Sequence, residues 1–148
     1  MTLLSRIEAD YLVAYKAREE VRIAALRMLR AALKNRQVEL RRPLTDGEVL
    51  DGIVKEIKQR QDSIEQFTAG GRKDLADREA QELGVLQAYL PAPITPEALH
   101  DLIEKAILTS GAAGLKDMSR VMQAIMAECK GRVDGKTVSE LVRTRLSA

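Results

Sequence analysis

Residues 88–99 read AYLPAPITPEAL. Three prolines in six positions, Pro91, Pro93 and Pro96, forbid a continuing helix, because proline lacks an N–H and pushes the residue before it into extended geometry. Thr95 and Pro96 then restart a helix as N-cap and first-turn residue. On both sides the apolar residues recur with a helical period and no segment alternates like a strand. The chain therefore reads as all-α, with an N-terminal bundle of about four helices over residues 1–92 and a small three-helix domain over 93–148.

Upstream of the prolines, helices are expected over roughly 3–17, 20–40, 45–69 and 73–90. Leu4, Ile7, Tyr11 and Tyr15 share one side of the first. Val21, Ala25, Met28, Leu29, Ala32 and Leu33 share a face of the second, with Arg27, Arg30 and Lys34 on another. The third opens with Thr45, Asp46, Gly47 and Glu48, a capping box in which hydroxyl and carboxylate satisfy each other's backbone N–H. Its apolar stripe is Val49, Ile53, Ile57, Ile64 and Phe67, and Gly70 and Gly71 stop it. Leu75, Leu83, Leu86 and Leu90 line the fourth. Downstream, helices are expected over about 96–109, 117–130 and 135–146. Leu99, Leu102, Ile103 and Ala106 face inward in the fifth, Met118, Val121, Met122, Ile125 and Cys129 in the sixth, and Val138, Leu141 and Val142 in the seventh. Gly131 ends the sixth and Asp134 caps the seventh.

Composition removes several functions. The 148 residues include one His and one Cys, so neither an internal disulfide nor a cysteine-rich zinc site can form. His100 lies in an ordinary amphipathic helix and Cys129 on an apolar stripe, so surface filler and core residue are their plain readings. Residues 131–137 read GRVDGKT. The ending resembles a phosphate-binding P-loop, but only three residues separate the glycines where four are needed, and a helix, not a strand, precedes them. No catalytic residue, metal ligand or cofactor site is indicated. No apolar run approaches the roughly 20 residues that span a membrane, and the first residues lack a signal peptide's layout. A cytoplasmic location is the resulting expectation.

The chain carries 24 Lys plus Arg against 22 Asp plus Glu, so the placement of charge matters more than its sum. Arg18 to Arg42 holds eight basic and three acidic residues, and Lys116 to Arg145 holds seven and four. Such regions suit a phosphate backbone or are simply solvated helix faces. The turn from Lys130 to Lys136 is the more suggestive. Lys130, Arg132 and Lys136 surround a helix junction, Gly131 keeps the backbone accessible, and a helix N-terminus favours an anion. Asp134 opposes this, because it uses those donors itself and repels phosphate. With four aromatic residues there is no stacking surface for unpaired bases, so any RNA contact falls on backbone and shape.

Seven stretches carry a family resemblance: RMLRAALKNRQVEL at 27–40, LTDGEVL at 44–50, IKQRQDSIEQF at 57–67, GGRKDLADRE at 70–79, AYLP at 88–91, KDMSRVMQAIM at 116–126 and KGRVDGK at 130–136. In this order, over nearly the whole chain, they resemble the YqeY-like proteins, stand-alone relatives of the tail of the GatB subunit of tRNA-dependent amidotransferase. The resemblance implies a helical bundle followed by a smaller helical domain. In the amidotransferase that tail helps hold a mischarged tRNA, Glu-tRNA(Gln) or Asp-tRNA(Asn), whose acid is amidated with glutamine as donor.

Lys130, Gly131 and Arg132 occupy the K-G-K positions of the tail motif, and Lys136 follows the stand-alone family's D-G-K. Ser119 and Val133 are bulkier than the residues usual in the family. The catalytic cradle, metal ligands and amidase apparatus have no counterpart here. The implied role is a tRNA-binding accessory module of a carbon–nitrogen ligase system, without its own catalytic centre. It would contact tRNA through Lys130, Gly131, Arg132 and Lys136, with Arg27, Arg30 and Lys34, and would work beside amidotransferase or aminoacyl-tRNA synthetase components. The alternative is a helical protein-interaction module with no RNA binding, using the long third helix or a Met118, Met122 and Met126 surface. A helix-turn-helix around Gly131 is less favoured, because the seventh helix starts with few side chains suited to reading bases, so no DNA partner is expected.

Overall fold

The computed structural model describes residues 1–147. Seven α-helices and one 3-10 turn make up its secondary structure, with no strand among the described residues: α1 (Leu3–Ala17), α2 (Glu20–Leu40), α3 (Asp46–Ala69), α4 (Lys73–Gln87), α5 (Pro96–Ser110), the 3-10 turn Leu115–Asp117, α6 (Met118–Glu128) and α7 (Gly135–Ser147). The fold is all-α. Contacts divide the chain into two units, one of Met1–Leu90 and one beginning at Pro91.

In the first unit the helix ends follow from local chemistry. Thr2 caps α1 by accepting from the Ser5 N–H at 3.1 Å. Arg18 ends α1 and Arg41 ends α2, both in the left-handed region at φ 57° and 56°, where glycine is the usual occupant. Thr45 and Glu48 form the complete capping box at the start of α3, and the Asp46 carboxylate accepts from the Leu3 N–H at 3.1 Å. Gly71, at φ 73°, turns the chain between α3 and α4.

Ile7, Leu26, Leu29, Leu33, Val49, Ile53, Ile57, Leu86 and Tyr89 form the core of this unit. Leu26 is fully buried while Met28, expected on the buried face, is 55% exposed. The stripe of α2 is displaced because α2 packs against α1, α3 and α4 rather than one neighbour. Tyr15 is likewise exposed, and α1 buries Ala14 instead.

Helix α4 stops at Gln87, short of the expected Leu90. Its last residues turn so that the buried Tyr89 hydroxyl donates to the Asp10 carboxylate at 2.6 Å. Charged groups also enter this unit. Glu56, Arg60 and Glu82 are all buried, and Arg60 Nη1 donates to Glu56 Oε2 at 2.8 Å. Burial raises the Glu82 carboxyl above its ordinary range, reinforced by Glu79 and opposed by Arg60 and Arg78.

The second unit packs α5, α6 and α7 around Leu99, Ile103, Val121, Ile125, Cys129, Val138, Val142 and Leu146. Thr95 caps α5, with Pro96 in its first turn. Met118, Met122 and Met126 lie half-buried against this core. Cys129 is buried, and burial pushes its thiol pKa up, so it behaves as a small apolar side chain. Leu141, expected inward, is 46% exposed, because α7 turns Val138, Val142 and Leu146 to the core.

Candidate nucleic-acid interface

The α6–α7 turn is built by glycine and by the backbone. Gly131 takes φ 77°, and the Arg132 N–H donates to the Cys129 carbonyl at 2.8 Å. Arg132 is exposed, yet its Nε donates to the Ala92 carbonyl at 2.9 Å. In return the Arg132 carbonyl accepts from the Ile94 N–H at 3.2 Å. Two reciprocal bonds thus hold the segment leading into α5 against the turn.

Lys130 and Gly131 are half-buried, and Lys136 is exposed. Among the described residues no carboxylate stands within ion-pair distance of Arg132 or Lys136. Asp134 acts as the cap of α7. Its carboxylate accepts from the Lys136 N–H at 3.3 Å and the Thr137 hydroxyl at 3.4 Å. The protein's own anion therefore occupies this helix N-terminus, and what the turn offers a phosphate is its side-chain cations.

The candidates in the first unit gather differently. Arg27, Arg30 and Lys34 border an open groove of about 360 Å³ between α1 and α2. Arg30 Nε donates to Glu8 Oε2 at 2.8 Å, and its guanidinium lies 4.1 Å from the centre of the Tyr11 ring, a cation–π contact. Arg27 Nη2 reaches the Tyr11 hydroxyl at 3.4 Å. Elsewhere in this basic stretch Arg22, Arg36 and Arg42 pair with Glu19, Glu39 and Glu48. Much of the stretch's positive charge is answered within the protein, chiefly by carboxylates.

A second groove, of about 450 Å³, runs between α5 and α7 over Leu99, Ile103, Val138 and Leu141, with His100 and Arg132 on its border. The sequence reading did not foresee it. Its one signal is the apolar Leu141 beside the true inward stripe of α7. At its far end Arg145 grips Glu104 through two nitrogens, at 2.6 and 3.1 Å. No group of His, Cys, Asp and Glu among the described residues could hold a metal ion, and no helix is long and apolar enough to cross a membrane.

The family model described as Yqey-like protein matches residues 4–146. The chain belongs to the YqeY-like family. A YqeY-like relative from Pyrenophora tritici-repentis is named "Altered inheritance of mitochondria protein 41, mitochondrial". It is 30% identical over 148 residues, which cover 99% of this chain and 82% of the relative. Its namesake in Saccharomyces cerevisiae strain S288c is 29% identical, over 91% of this chain and 72% of the relative. That of Vanderwaltozyma polyspora is 32% identical, over 67% and 55%. These relatives are named as mitochondrial proteins, which overturns the expectation of a cytoplasmic location. That expectation rested on a single cysteine, the lack of a long apolar run and the look of the first residues. A protein of any reducing compartment shares the first two features, and none of the three names a compartment.

Proposed function

We propose that this YqeY-like chain is a tRNA-binding accessory module, related to tRNA-dependent amidotransferases and without a catalytic centre of its own. The observation that supports this reading is the α6–α7 turn, where Arg132 and Lys136 stand exposed and unpaired with any described carboxylate. Cations so placed meet phosphate oxygens without first breaking an internal ion pair. Lys130 and Gly131 complete the turn. Arg27, Arg30 and Lys34 form a second basic edge, weakened where Glu8 and Tyr11 already hold Arg30. Contact falls on backbone and shape, and the module works beside amidotransferase or aminoacyl-tRNA synthetase components.

The test is a salt titration of bulk tRNA binding to the native chain and to Lys130→Glu with Arg132→Glu. The native chain binds tightly at low salt. The double variant binds weakly, with unchanged helicity and a log–log salt slope shallower by about 2, since each lost phosphate contact removes nearly one unit. Lys136→Glu leaves the Arg132–Ala92 bond intact and should weaken binding on its own. No tRNA binding by the native chain at low salt would sink the reading.

The second reading, a protein-interaction module without RNA binding, is favoured by the apolar floor between α5 and α7. Under it, Leu141→Asp abolishes capture of a protein partner while the basic-turn variants retain it.

A further inference from the structure

Arg60 is an arginine with an unmet donor. Its side chain is 4% exposed. Nη1 is used by Glu56, through the carboxylate at 2.8 Å and the backbone carbonyl at 3.3 Å. Its Nε is buried and, among the described residues, has no hydrogen-bond partner. The remaining nitrogen, Nη2, lies 3.5 Å from the Met28 sulfur. Nε and Nη2 share one edge of the guanidinium and point their N–H groups the same way, the fork that ordinarily receives an oxygen acceptor. Among the described residues the one hydrogen-bond acceptor at this fork is a thioether, a weak acceptor, carried by a methionine that is 55% exposed, while the buried Glu82 carboxylate acts on Arg60 through charge without a hydrogen bond.

We propose that Met28 is a peroxide-modification site whose sulfoxide oxygen is received by the Nε–Nη2 edge of Arg60, fastening α2 to α3. The Met28 sulfur lone pair attacks one oxygen of hydrogen peroxide and the O–O bond breaks. The sulfur–oxygen bond forms as the delivered hydroxyl gives its proton to the departing hydroxide, which leaves as water. Sulfur is oxidised by two electrons and peroxide is reduced. The product is a polar oxygen acceptor where a weak one stood.

Met118, Met122 and Met126 offer a contrast within the chain. They are half-buried against the second core, where a sulfoxide breaks apolar packing. Met28 combines access for the oxidant with a buried donor waiting for the product.

The full-length chain is exposed to limiting hydrogen peroxide and each methionine followed by peptide mass spectrometry. Met28 should oxidise at least threefold faster than Met118, Met122 and Met126, with Met1 as the freely exposed reference. In the Met28-oxidised chain the Arg60 Nε–H resonance should move and its exchange with solvent slow, and the urea midpoint should hold or rise. Met28→Gln supplies an amide oxygen without oxidation and should be at least as stable as Met28→Leu, an order that disappears in an Arg60→Lys background. Oxidation of Met28 no faster than the half-buried methionines overturns the proposal. So does an Arg60 Nε–H that is unchanged by oxidation, or a lowered urea midpoint.

Discussion

Alanine at Gly52 and at Gly84 separates helix propensity from packing. Both glycines lie inside helices of the first unit, α3 and α4, and neither has a positive φ. Within a helix, glycine to alanine gains about 1 kcal/mol when nothing opposes it. Nothing opposes it at Gly84, where an added Cβ has no atom within 4 Å. At Gly52 the same Cβ falls 2.7 Å from Leu33 Cδ2. Leu33 is 2% exposed and wedged in the first core, so its methyl has no solvent to swing into. Forcing extra volume into a packed site costs about 1–3 kcal/mol.

Gly84→Ala should therefore stabilise by about 1 kcal/mol, and Gly52→Ala should range from neutral to about 2 kcal/mol destabilising. The gap between the two variants is the cost of the contact. Urea unfolding followed by far-ultraviolet circular dichroism measures it, with equal m-values required for comparison. Leu33→Ala supplies the internal control. It opens a cavity at a cost of about 2–5 kcal/mol, part of which the Gly52→Ala methyl fills, so the double variant should be more stable than the sum of the singles implies. Equal stabilisation by both alanines, with no coupling to Leu33, would refute the close approach of α2 and α3.

Arg42, followed by the Thr45 backbone, holds the Glu48 carboxyl at about 2 against an ordinary 4.5. A carboxyl depressed by folding stabilises the fold above pH 4.5, and that contribution is lost as pH falls toward 2. A carbon-detected NMR titration should give a Glu48 midpoint near 2 that rises in Arg42→Ala. Tyr89→Phe removes the bond to Asp10 and should destabilise by about 1–2 kcal/mol, because a bond to a charged group is lost but Asp10 is partly open to water; the urea midpoint reports it. Arg18 holds φ 57°, so Arg18→Gly should relieve about 1 kcal/mol of left-handed strain and raise the thermal midpoint.

The helix boundaries were readable where the chain carries its own punctuation. Thr45 with Glu48, Thr95 with Pro96, and Gly71 and Gly131 act through bonds or dihedrals reaching only a few residues. The core stripes were readable in part, since Ile7, Leu29, Ile53, Leu86, Ile103, Val121 and Val138 recur at helical spacing. What escaped depends on distant partners. Just past the end of α4, the Tyr89 hydroxyl bonds a residue 79 positions away. Glu56 and Arg60 carry charge that no local spacing gives a reason to bury, and they are enclosed where α3 packs against α4. In the candidate site, the capping role of Asp134 was legible from its place before a helix. The hold of Glu8 and Tyr11 on Arg30, and of Ala92 on Arg132, was not, because each joins segments far apart in the chain.

The reciprocal bonds between Ala92, Ile94 and Arg132 close a ring 40 residues around by hydrogen bonds alone. Proline leaves that segment few amides, and the Ile94 N–H is one of them. Its hydrogen can exchange with solvent only when the turn lets go, so a single amide serves as a built-in gauge of the basic turn. Anything that grips the turn and steadies it should slow deuterium uptake at Ile94, and anything that draws Arg132 away should hasten it.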